Sequence, residues 1–191
     1  TLKGSISISE RSNIINECEK IIFVSNWVKE RFFEGFKVKN HNKCKVVYPS
    51  IGKLNKFPKK QNLIIFVGKL NQSKGYDLFC KALFPLLDKH TDWKAISIGD
   101  EKRFQHYNTH KKHINLGQIS HKKVLNFLSK SEIAVIPSRW EEPFGRTALE
   151  ATSMGCATII SANGGLTETS DQAVILKKLN SKNLELEINK L

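Results

Sequence analysis

A doubly wound α/β domain with a parallel sheet is the fold class that the sequence predicts, on three observations. Short apolar, β-branched runs recur along the chain, helix-length stretches separate them, and the runs end on small or turn-forming residues. Near-continuous apolar runs suit strands buried on both faces, as in parallel sheets. Strand alternating with helix at this spacing is the pattern of layered α/β folds.

Taken in order, "KIIFVS" and "CKVVYPS" are the first two strand-like runs, with a helix predicted between them from Ser25 to Phe36. "NLIIFVGK" opens a second series, followed by a helix from Ser73 to Asp88, "KAISIGD", "INLGQIS" and a helix from His121 to Ser131. Next come "IAVIPS", a helix from Phe144 to Met154, "ATIISA", "AVILK" and the amphipathic, helical "NSKNLELEINKL". Strand ends meet Ser25, Gly68, Gly99–Asp100, Ser138 and Gly164–Gly165, and ligands of open α/β sheets gather beyond such ends. The polar, proline-containing "FPKKQN" divides the chain. Residues 1–56 supply two helices and two strands with no independent core; residues 57–191 form a Rossmann-like unit with enough runs for a sheet.

The 191 residues are 40% hydrophobic, which supports a real core, and no stretch nears the roughly 20 apolar residues that span a bilayer. "TLKGSISISERSN" lacks the apolar centre of a signal peptide. Cys18, Cys44, Cys80 and Cys156 are scattered without a C-x-x-C pair, so they read as reduced thiols in a cytoplasmic setting. In "HYNTHKKH", His106, His110 and His113 invite a metal-site reading, but two intervening lysines and no adjacent carboxylate favour a solvated polar helix. A net charge of +13 fits a polyanionic partner, an anionic membrane surface, a phosphate-bearing ligand, or simply a lysine-rich composition. A nucleic-acid-binding module calls for clustered cations with interleaved aromatics. The lysines here are dispersed, so no nucleic-acid partner is expected.

Three stretches carry candidate chemistry. In "FVGKLNQSKGYDLFCKAL" a buried strand ends at Gly68, and Lys69 and Lys74 flank the loop into a helix. Both ammonium groups could reach a phosphate held at a helix N-terminus; taken alone, they read first as two solvated lysines in a chain with many. No P-loop, G-x-G-x-x-G or Asp-x-Asp motif is present. In "IAVIPSRWEEPFGRTALEATSMG", Pro143 suits a first helical position and the amides of Phe144, Gly145, Arg146 and Thr147 would be open donors. Glu150 then lies roughly 12 Å along the helix from Glu142, too far for the two to share a proton. They suit hydroxyls at two ends of one elongated ligand, or else a capped helix with one exposed Glu. "SANGGLTETS" offers a Gly-Gly turn that again reads as either a plain connection or a binding turn.

In combination and order, "FVGKLNQSKG", "SIGDEKR", "LGQIS", "VIPSRWEEPFGRTALEATSMGCATIIS" and "NGGLTE" resemble the retaining nucleotide-sugar glycosyltransferases of family four, the group one glycosyltransferases. The resemblance covers about residues 12–180. It implies a GT-B enzyme, in which two Rossmann-like domains face a cleft and the C-terminal one binds the sugar nucleotide. Residues 1–56 would then be the end of the N-terminal domain and its connection, with most of the acceptor domain absent.

By the same resemblance Glu142 faces the donor sugar and Glu150, seven intervening residues on, holds the ribose hydroxyls. Lys69 and Lys74 match a cationic pair on the diphosphate, with Lys where Arg is commoner at the first place; Lys gives less fixed geometry. Amides from Phe144 to Thr147 contact sugar and phosphate, and Arg146 replaces a more usual apolar residue. Gly99 and Asp100 lie beside the nucleotide, and Gln118 and Ile119 near the base. No cofactor or metal is implied, because the lysines and helix amides meet the charge of the departing diphosphate. The implied partners are a nucleotide-diphosphate sugar, a glycan or lipid-linked acceptor in lipopolysaccharide- or capsule-type synthesis, and an anionic membrane surface. A non-catalytic nucleotide-sugar-binding domain, or an epimerase or phosphorylase of the same fold, is the alternative.

Overall fold

The computed structural model describes residues 8–36, 38–52, 58–101 and 109–191. It comprises two compact units, Thr1–Pro49 and Ser50–Leu191. The boundary read from the sequence, between residues 56 and 57, lies outside the described residues.

In the first unit, α1 (Ile8–Glu17), β1 (Ile21–Phe23), α2 (Asn26–Gly35) and β2 (Cys44–Val46) follow one another. Ser25 caps α2, its hydroxyl accepting from the Val28 amide at 3.1 Å. β1 and β2 pair in parallel. Contrary to the sequence reading, this unit has a small core of its own, made of Phe23, Val38 and Cys44 with Phe32 and Phe33 packed on it.

The second unit is built on β3 (Gln61–Val67), α3 (Tyr76–Lys89), β4 (Lys94–Ile98), β5 (His113–Asn115), α4 (His121–Lys130), β6 (Ser131–Ile136), α5 (Arg146–Ser153), β7 (Ala157–Ile160), β8 (Val174–Ile175) and α6 (Ser181–Ile188). Its six strands lie in the order β5-β4-β3-β6-β7-β8, every pair parallel. The chain winds outward from β3 in one direction, then returns to β6 and winds in the other. The topological switch point, where α/β sheets open a crevice, therefore lies between β3 and β6.

Alternation along each strand sends successive side chains to opposite faces. Ile64, Phe66, Ile133, Val135 and Ile159 pack under α3 and α6, against Phe79, Leu83, Leu87 and Leu184. Leu63, Ile65, Ala134, Ile136 and Ile160 pack on the other face against Val124 and Leu128 of α4 and Ala148 and Ala151 of α5. Burial on both faces is why these strands read as continuous apolar runs.

Lys60 ties α4 to α5. Its Nζ donates to the carbonyls of Ser131 and Met154, both at 2.8 Å, and of Leu128 at 3.3 Å. These oxygens belong to the carboxyl ends of the two helices, where a cation is favoured. Burial lowers the Lys60 pKa, with Cys156 and Glu132 opposing the shift. Cys44, Cys80 and Cys156 are buried, unbridged thiols, and burial pushes Cys80 and Cys156 up to about 11.

The edge strand departs from expectation. The run "INLGQIS" reads as a strand to Ser120, but the strand is His113–Asn115, because Gly117 turns the chain with φ 63°. His113 is thus a strand residue rather than part of a polar helix. Its Nε2 lies 3.1 Å from the Ser97 hydroxyl, itself 3.2 Å from the Tyr76 hydroxyl. His110 instead meets Asp88 at 3.1 Å, and His106 lies outside the described residues. Among the described residues no group of three or more His, Cys, Asp or Glu is placed to hold a metal ion.

Burial, with the charge of His110, depresses the His113 pKa from 6.5 to about 4. The unfolded chain therefore takes up this proton first as pH falls, so the contribution is complete above pH 6.5 and is lost on the way down to about pH 4. Allowing for solvent access, it is on the order of 2 kcal/mol. Thermal melts should show a falling midpoint across that window, and His113→Gln should flatten that part of the slope.

Candidate functional site

The loops that follow β3 and β6 flank the switch point, and the sequence-predicted residues concentrate on them. After β3 the chain runs through Gly68 and Lys69 to Gly75, where α3 begins. Gly75 has φ 74°, and a Cβ there would sit 1.9 Å from the Pro137 carbonyl oxygen. Only glycine lets the α3 start lie against the end of β6. The two loops are then joined by backbone bonds: the amides of Arg139 and Trp140 donate to the Ser73 carbonyl at 2.8 and 2.9 Å.

A bidentate ion pair reinforces this junction. Arg139 Nη1 and Nη2 meet the two carboxylate oxygens of Asp77 at 2.6 and 2.8 Å, and Nη1 also donates to the Gln72 carbonyl at 2.6 Å. Burial of Asp77 opposes its ionisation, but the Arg139 bonds and charge, with backbone amides, outweigh it and lower the pKa. Neither residue was singled out from the sequence: they lie 62 positions apart with no local motif to connect them.

Between the clamped loops Lys74 Nζ donates to Glu142 Oε1 at 2.5 Å, and the Ser138 hydroxyl, fully buried, lies 3.0 Å from the same oxygen. Glu142 is held at both ends. Its carbonyl accepts from the Gly165 amide at 2.6 Å, and it bridges to Gly164 in parallel fashion. Gly164 has φ 69°, and a Cβ there would come within 2.3 Å of the Glu142 carbonyl oxygen. The Gly-Gly turn is what allows the strand-end loops of β6 and β7 to touch. Lys69 is exposed, on the same loop as Lys74.

The helix after Glu142 begins later than predicted. α5 starts at Arg146, so Pro143 and Phe144 precede it. Phe144 is buried, and Gly145 turns into the helix with φ 97°. A Cβ on Gly145 would lie 2.4 Å from Leu166 Cδ2. The amides of Ala148 and Leu149 bond the Gly145 carbonyl. That leaves the amides of Arg146 and Thr147 in the first turn, ahead of any intrahelical acceptor. The Phe144 amide is thus outside the helix, and the axial separation of Glu142 and Glu150 by a continuous helix does not hold.

Glu150 is 8% exposed, not a solvated carboxylate. Its Oε1 lies 3.0 Å from His121 Nε2, at the start of α4, and 3.6 Å from Arg146 Nη2. A buried carboxylate is costly unless hydrogen-bonded or paired; His121, unmarked by any motif, supplies a hydrogen bond and Arg146 a cation. Gly99 sits beside Gly68 at the strand ends: with φ 144°, a Cβ there would be 1.8 Å from the Gly68 carbonyl oxygen. The Gly68 amide bonds Ile98 and the Gly99 amide bonds Gly117, both at 2.9 Å. Asp100 and Gln118 are exposed beyond this row, and Ile119 packs on the α4–α5 core.

Fold and site together define a doubly wound α/β domain with lysines and glycine-rich helix starts at the switch point, a setting suited to an anionic ligand. Comparison with known proteins assigns the family: residues 49–191 match the model for glycosyl transferases group 1, and the chain belongs to that family. A Klebsiella pneumoniae 42.6 kDa protein in the cps region is 29% identical over 159 residues, covering 77% of this chain and 39% of that protein. A solved glycosyltransferase from Rickettsia africae superposes with a TM-score of 0.76 at 22% identity, covering 96% of this chain and 55% of that one. Anabaena HepE in complex with UDP-glucose superposes with a TM-score of 0.74 at 16% identity, covering 96% and 57%. At these identities the solved structures establish the fold, that of the Rossmann-like C-terminal domain of GT-B glycosyltransferases. The chain thus spans roughly two-fifths to three-fifths of the length of these relatives.

Proposed function

We propose that the chain is the donor-binding part of a retaining glycosyltransferase that takes its sugar from a nucleotide-diphosphate sugar. The observation that carries this reading is the Lys74–Glu142 pair, set across the switch point by two clamped loops. Lys74, Lys69 and the amides of Arg146 and Thr147 hold the diphosphate; Glu142 contacts the donor sugar; Glu150 holds the ribose; Gly99, Asp100, Gln118 and Ile119 border the base. In the transfer the bond from the anomeric carbon to the diphosphate oxygen breaks, a bond to an acceptor hydroxyl oxygen forms, and that hydroxyl's proton passes to the departing diphosphate. Charge develops on the diphosphate, where two ammonium groups and helix amides stabilise it without a divalent cation. HepE, solved with UDP-glucose, supports a nucleotide-sugar donor.

The acceptor, a glycan or lipid-linked sugar, is held by a second domain of the full enzyme. The relative in a cps region supports a place in capsule- or lipopolysaccharide-type synthesis. The excess of cations would favour the cytoplasmic, anionic face of a membrane. Among the described residues no helix is long and apolar enough to cross one.

A thermal-shift panel of UDP-, GDP- and ADP-sugars tests the reading. At least one should stabilise the chain, by about 2.7 kcal/mol at a hundredfold excess over its Kd, and Glu150→Ala should remove about half of that gain or more. Stabilisation by low-salt nucleic acid and by no nucleotide sugar would refute it.

A further inference from the structure

We propose that His121 is a positioning residue that fixes Glu150 so that one carboxylate oxygen is presented to the paired hydroxyls of a ribose, and that it thereby sets discrimination between ribo- and 2′-deoxyribonucleotides. The proposal rests on reading Glu150 as the ribose contact. Among the described residues the hydrogen bond and the ion pair of the Glu150 side chain both go to Oε1, from His121 Nε2 at 3.0 Å and Arg146 Nη2 at 3.6 Å. Oε2 is left to accept from outside. An ionised carboxylate only accepts, so His121 must carry its proton on Nε2 when it makes this bond.

The two partners of Oε1 are not equivalent. Both side chains are exposed, 75% for Arg146 and 58% for His121, but Arg146 lies on α5 itself, at i,i+4 from Glu150, and beyond hydrogen-bond distance. His121 comes from a different helix, at hydrogen-bond distance, and so fixes the carboxylate against a second element. That element is itself fixed: Lys60 bonds the carboxyl ends of α4 and α5 together, and Val124 and Leu128 pack with Ala148 and Ala151. With Oε1 held, rotation of the carboxylate would break the His121 bond, so Oε2 keeps one direction. A ribose offers that oxygen two adjacent hydroxyls, whereas a 2′-deoxyribose offers one.

Calorimetric titration of the 191-residue chain with UDP, GDP and ADP, and with the 2′-deoxy analogue of each, tests this. The tightest ribonucleotide should exceed its deoxy analogue by about tenfold, the scale of one hydrogen bond to a charged group. His121→Ala should weaken the ribonucleotide by about as much and bring the ratio near one. His121→Gln, which restores an N–H donor, should recover a good part of both. A His121→Ala protein that keeps the wild-type ratio, whatever its melting temperature, overturns the proposal and leaves the Glu150 reading intact. Tight binding by the wild type with no ratio, or a ratio that survives Glu150→Ala, overturns the Glu150 reading and this proposal together.

Discussion

Replacing Lys74 by Met is expected to weaken binding of a nucleoside diphosphate by about 10- to 100-fold, the effect of losing one charge-assisted hydrogen bond to an anion. The loss has two parts. The ammonium that meets the diphosphate disappears, and Glu142, whose side chain is only 15% exposed, keeps Ser138 but loses its cation. An unpaired, largely buried carboxylate is destabilising and repels an incoming phosphate. Lys69→Met should cost less, because Lys69 is exposed and, among the described residues, no ion pair joins it to a buried carboxylate. Calorimetric titration of both variants against wild type measures the difference. Equal losses would show that the Lys74–Glu142 pair confers no special role.

The second large effect belongs to Gly99→Ala, expected to destabilise the second unit by about 3 kcal/mol or more. Its φ of 144° disfavours any side chain, and the added methyl would fall 1.8 Å from the backbone oxygen of Gly68. Backbone cannot yield as a flexible side chain would, so β3 and β4 must separate where the Gly68 amide bonds the Ile98 carbonyl. The melting temperature should fall by roughly 6–12 °C for a chain of this size. Gly117→Ala is the control. It shares a positive φ of 63°, but its Cβ would meet nothing within 4 Å, so its cost should be limited to backbone strain of about 1 kcal/mol.

The parallel sheet was legible because burial on both faces writes a strand as an unbroken apolar run. Ile64, Ile65 and Phe66 are all buried although they alternate between two cores. Strand ends were legible through their glycines, Gly68 and Gly99, whose role is steric and local. Pro143 suits a first helical position and so suggests an earlier start for α5; burial of Phe144 and the turn at Gly145, where a side chain would run into Leu166, decide the matter instead. Glu142 was placed in a site from its motif, but its partners Lys74 and Ser138 are set by tertiary pairing. His121 and the Arg139–Asp77 clamp were invisible for the same reason: their partners are 29 and 62 positions away. The small core of the first unit was missed because only three residues form its buried centre.

Titration of UDP-glucose, GDP-mannose and ADP-glucose into the chain by calorimetry, with EDTA present throughout, is the most direct test of a metal-independent donor site at the β3–β6 switch point. At least one should bind with one-to-one stoichiometry, and Lys74→Met and Glu150→Ala should each weaken it by tenfold or more. Absence of binding by all three, or binding unmoved by either substitution, would contradict it.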